Sequence, residues 1–135
     1  MNEISLPFHL ILPSIISILI LGLIWYKGTS LFKNGKRKWF WISVTVFFSI
    51  YLFIVGWSTY TTISSEIMLN SFDLNNDGFF TKDEITLDQK AAMKNYISDT
   101  GRNFSFITGL IYSGIIAFLV CGIGKIIALI KTPKS

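Results

Sequence analysis

Apolar residues in this chain fall in three long runs free of Asp, Glu, Lys and Arg, without the three-to-four-residue alternation of a helix that lies on a water-soluble core. The runs are Leu6 to Tyr26, Trp39 to Trp57 and Phe104 to about Gly124. The first is about 21 residues long; at about 1.5 Å rise per residue it crosses a hydrocarbon layer of roughly 30 Å once. Met1 to Ser5 contains no Lys or Arg and no small-residue cleavage site follows, which favours a span over a signal peptide. Trp39 and Trp41 stand at one end of the second run, Trp57 and Tyr60 at the other, as expected of rings anchored in two headgroup layers. The third run lies between Arg102 and Lys125. The expected fold is all-α, with three transmembrane helices and an extramembrane helix-loop-helix between spans two and three. Four segments follow: the first span with a basic loop (1–38), the second span (39–58), a loop domain (59–103), and the third span with a basic tail (104–135).

Composition agrees with this pattern. Of 135 residues, 51% are hydrophobic and 15% charged, too few charges to clothe a soluble domain of this size. A net charge of +4 invites a nucleic-acid reading, but the bases flank the apolar runs, where they set topology, and no nucleic-acid partner is expected. Lys27, Lys33, Lys36, Arg37 and Lys38 lie together without an acid, and Lys125, Lys131 and Lys134 follow the third run. Ser58 to Asn103 holds four bases against seven acids: Glu66, Asp73, Asp77, Asp83, Glu84, Asp88 and Asp99. Basic residues resist translocation. The N-terminus and the long loop are therefore expected outside the cytoplasm and the C-terminus inside, in a plasma or inner membrane. A single cysteine, Cys121, allows no internal disulfide.

The chemistry lies in the acidic loop. Asp73-Leu-Asn75-Asn-Asp77-Gly78-Phe79-Phe80-Thr81-Lys-Asp-Glu84 places oxygen donors at positions 1, 3, 5, 7, 9 and 12 of a twelve-residue segment. Asp73, Asn75 and Asp77 offer side-chain oxygens, Phe79 its carbonyl, Thr81 a hydroxyl or a held water, and Glu84 both carboxylate oxygens, a set that matches Ca²⁺. Gly78 occupies the sharp turn. In these positions the segment resembles the EF-hand family, over about thirty residues at most. Met68, Leu69 and Phe72 share one helix face, like the family's entering helix. Beyond the loop the likeness fades, because Asp88 and Gln89 stand where the exiting helix of that family is apolar. Thr86 with Gln89 reads as a capping box that restarts a helix near Leu87. The resemblance implies a second hand joined through the residue at position 8, Phe80; no second loop follows. Phe79 and Phe80 thus form an apolar tip that a second copy, a partner or the headgroup layer would cover.

Pro and Gly are absent between Trp57 and Phe72, so the second span is expected to continue outward as the entering helix, and Ca²⁺ would act on a lever rooted in the bilayer. Gly109, Ser113, Ala117 and Cys121 line one face of the third span, read as a contact between spans one and three, with self-association as the alternative. Lone His9 reads as an interfacial hydrogen-bonding residue, and Lys125 as snorkelling to headgroups. No nucleophile–base pair, metal triad or phosphate loop points to an enzyme. The expected function is an integral membrane calcium-binding protein, a sensor or accessory regulatory subunit working as a homo-oligomer or with another membrane protein. Two alternatives stay open: a calcium-gated channel or transporter component, and a loop that calcium merely holds in shape.

Overall fold

The computed structural model describes residues 5–33, 37–81, 84–98 and 100–131, so Lys36, Asp83, Asp99 and Lys134 of the charge reading, with Lys82 of the loop, lie outside it. The described chain is helical, in the order α1 (Phe8–Leu31), α2 (Lys38–Asn70), α3 (Leu87–Ser98), α4 (Thr100–Asn103) and α5 (Ser105–Lys131). Helices α1, α2 and α5 are each long and apolar enough to cross a membrane. Their outward faces carry Leu19, Leu23, Phe53, Phe118 and Leu129 in the open, the reverse of a water-soluble bundle.

The candidate second span and the segment leading into the acidic loop are one element. α2 runs unbroken for 33 residues, about 50 Å at the α-helical rise, so its last dozen residues extend past a hydrocarbon layer of roughly 30 Å. The projecting part is rich in Ser and Thr, and Thr59 and Thr61 donate to the carbonyls of Val55 and Trp57 one turn back, so their hydroxyls are satisfied inside the helix.

α2 is the central helix. α1 packs along one side of it and α5 along another, while α1 and α5 barely meet. On α1 the buried residues Leu10, Ser17 and Ile24 recur every seven positions, a narrow seam suited to one neighbour. On α5 the buried positions are Ser105, Gly109, Ser113, Ala117 and Gly124. This corrects the expected pairing of spans one and three: the small face of the third span receives α2. A Cβ at Gly109 would lie 3.2 Å from the Tyr51 ring and 3.3 Å from Ile54. The Ser43 hydroxyl donates to the Ala117 carbonyl, and the Trp39 indole lies on Gly124. Small residues admit the large rings of α2, and this complementarity decides the pairing. Trp39 is therefore a packing residue as well as an expected interfacial anchor.

Leu10, Tyr51 and Val55 form the core, with Phe106 against them. His9 meets the Phe106 ring edge-on at 5.9 Å, a contact between α1 and α5. At the same end Glu66 of α2, only 7% exposed, accepts the Ser5 amide at 2.6 Å just before α1 begins.

Candidate metal centre

The loop is built by turn chemistry. α2 ends as Ser71 donates its amide to Ile67, Phe72 to Leu69 and Asp73 to Asn70, which tightens the last turn and delivers Asp73 inward. Asp73 is 5% exposed and its Oδ2 accepts the Gly78 amide at 2.9 Å, across five residues. Asn75 Oδ1 accepts the Asp77 amide at 3.0 Å, and Asp77 Oδ1 accepts the Phe79 amide at 2.7 Å, two successive Asx turns. The chain is left-handed at Asn76 (φ 57°) and Gly78 (φ 82°). Asn tolerates that conformation and Gly adopts it without a Cβ clash, so both residues suit their places.

Glu84 closes the loop. Its Oε1 accepts the amides of Leu74 at 2.8 Å and Asn75 at 3.2 Å, while Oε2 accepts the Thr81 amide at 2.9 Å and the Thr81 hydroxyl at 3.2 Å. The side chain is 5% exposed. These bonds, that from the Thr81 amide foremost, hold its carboxyl below the ordinary glutamate value of 4.5 against the opposing effect of removal from water. The first and last positions of the motif thus face inward, with both oxygens of Glu84 turned to the ring of the loop.

The donor types fit a hard cation, since every proposed ligand atom is oxygen. Their present arrangement is a hydrogen-bonded ring. Asp77 Oδ2 accepts from Asn75 Nδ2 at 3.0 Å, and among the described residues no three His, Cys, Asp or Glu side chains gather around one metal position. To hold Ca²⁺, Asp77 and Asn75 would exchange their bonds to each other for the ion, while Asp73 and Glu84 would turn oxygens already buried.

Past the loop, α3 begins at Leu87, where Thr86 Oγ1 accepts the Gln89 amide at 3.1 Å. Half of the expected capping box is formed; the Thr86 amide goes to the Glu84 carbonyl instead. Of the three residues assigned to the entering face, Leu69 is buried and Phe72 half-buried, whereas Met68 is exposed. Phe79 is 75% exposed, and Phe80 turns into a shallow apolar groove with Ile85, Met93 and Ile97.

In the sequence Arg102 bounds the third apolar run, and in the structure it also joins helices. Its guanidinium donates to Thr61 O at 3.1 Å and Ser65 Oγ at 2.7 Å on α2, and to Asn95 O at 2.8 Å near the end of α3. A cation at a helix C-terminus caps orphan carbonyls and opposes the helix dipole. The chain matches no protein-family model, and no curated protein or solved structure proves significantly similar to it.

Proposed function

We propose that this chain is a multi-pass membrane protein that binds Ca²⁺ through Asp73, Asn75, Asp77, Phe79, Thr81 and Glu84 on the non-cytoplasmic side and serves as a sensor or regulatory subunit of a membrane complex. The observation that supports this reading most is the enclosure by Glu84, whose two oxygens bind both arms of the loop. A calcium ion would supply the positive charge that lets Asp73, Asp77 and Glu84 share one small volume. Their own part is to re-aim oxygens now bonded to amides, which draws the end of α2 and the start of α3 into a new relation. α2 carries any such movement toward the bilayer as one helix. Arg102, bonded to both α2 and α3 immediately before α5, passes it to the third span.

The test is calorimetric titration of the purified full chain with Ca²⁺, beside Glu84→Gln, with spectroscopic distances between labels at the loop ends of α2 and α5. Saturable binding in the wild type, lost in Glu84→Gln, together with a distance change on adding Ca²⁺, is the expected result. Binding without a distance change leaves calcium only a structural part, and no binding refutes the site.

A further inference from the structure

The groove that takes in Phe80 has a positive rim. It encloses about 470 Å³ over a floor of Phe80, Ile85, Met93 and Ile97, with Lys90 and Lys94 one helical turn apart along α3. Among the described lining residues there is no acid. Ile97 is 68% exposed, so a single chain leaves the groove uncovered. Beside this hollow the same loop carries its counterpart. Leu74 and Phe79 are 76% and 75% exposed, and between them Asp77 accepts from the Phe79 amide and the Asn75 side chain, both neutral donors. Residues 73–81 contain Asp73 and Asp77 and no base. An apolar tip on a negative loop and an apolar groove under a positive rim are complementary in charge and in polarity. Phe80 occupies the floor within its own chain, so the neighbouring ring, Phe79, is the one left for another molecule.

Tip and groove both lie between α2 and α5, outside the candidate spans. Two copies threaded the same way through one bilayer therefore present them at the same height. A two-fold axis along the bilayer normal sets the tip of each copy against the groove of the other, and the reciprocal contact closes at two copies. We propose that a second copy of this chain covers the groove, with Phe79 of each copy entering beside Phe80, Met93 and Ile97 of the other and Asp77 facing the other copy's Lys90 and Lys94. The proposal rests on the membrane-complex part of the preceding reading, to which it gives a partner, and it requires no calcium.

Energy transfer between donor-tagged and acceptor-tagged full chains in phosphatidylcholine vesicles, with chelator present, tests this. The wild type is expected to pair, with a dependence on protein-to-lipid ratio that fits a dimer. Phe79→Ser should weaken pairing roughly tenfold, the scale of truncating an aromatic anchor, and the double variant Lys90→Glu with Lys94→Glu should weaken it as well. All three side chains are exposed, so helix content is expected to stay at the wild-type value. A mixture of the two variants is the sharper readout. The Phe79→Ser copy keeps its groove and the lysine-reversed copy keeps its tip, so together they form one of the two contacts and should pair more strongly than either variant alone. Pairing that survives Phe79→Ser, or a mixture no better than its components, overturns the proposal. A wild-type monomer also overturns it and leaves the groove to a different protein or to the headgroup layer. Absence of Ca²⁺ binding overturns the metal site alone and changes none of these outcomes.

Discussion

The carboxylate of Glu84 accepts the amide hydrogen of Leu74 at 2.8 Å, joining the twelfth position of the loop to its second. Ten residues of chain are closed by this bond and its neighbours, so one side chain fixes the loop's circumference. In Glu84→Ala the amides of Leu74, Asn75 and Thr81 all lose their acceptor. With this charged acceptor gone, the loop is expected to open locally. Hydrogen exchange of these three amides, faster in the variant while α1 and α5 stay protected, is the measurement.

Acid should open the same loop. The Glu84 carboxyl lies below its ordinary value, chiefly through the Thr81 amide, so it favours the closed loop above that value and loses this contribution as pH falls through the depressed one. Amide chemical shifts of Leu74 and Thr81 are expected to hold steady near neutrality and to move together below about pH 4.5. In Glu84→Gln that shared transition should be missing.

Gly124 admits no side chain while Trp39 keeps its place, because a Cβ there would enter the indole. Gly124→Ala should cost about 1 to 3 kcal/mol, the usual range for overpacking. A lowered unfolding temperature in detergent checks it, and Trp39→Ala combined with Gly124→Ala should recover part of the loss by giving the methyl room.

Ser113 and Ala117 face α2, so Ser113→Leu and Ala117→Leu should disturb the fold of one chain before any assembly of copies. Ser113 is fully buried, its hydroxyl bonded to Gly109 O at 2.7 Å. The expected outcome is loss of a disulfide engineered between α2 and α5, at any protein concentration. A stable α2–α5 pair with loss only of higher assemblies would place the small face between copies.

Local rules were enough for some of this architecture. The unbroken α2 follows from the absence of Pro and Gly after Trp57, and the start of α3 at Leu87 from Thr86 and Gln89, because a cap is decided within a few residues. The Asx turns at Asn75 and Asp77 are equally local. The small face of α5 was visible too, but its partner was set by the rings of Trp39 and Tyr51, whose approach depends on three-dimensional packing. Arg102 and Ser65 stand 37 residues apart, and Ser5 and Glu66 stand 61 apart; no periodicity encodes such pairs. For Glu66, the sequence offers only an acid on the projecting part of α2, whose charge bears on topology.

Glu66→Ala should therefore loosen the amino end of α1 by about 1.5 to 3 kcal/mol and leave the loop intact. Faster proteolysis near Ser5, with unchanged exchange at Leu74, is the expected pattern.

That contact bears on biogenesis. Ser5 and Glu66 can meet only when the segment ahead of α1 and the projecting end of α2 have emerged on the same face of the bilayer. A chain inserted with α1 reversed would leave Glu66 without that donor, and its second oxygen has no partner among the described residues to compensate. In a bilayer the bond would thus favour the chain threaded with both ends on one face over a misthreaded one.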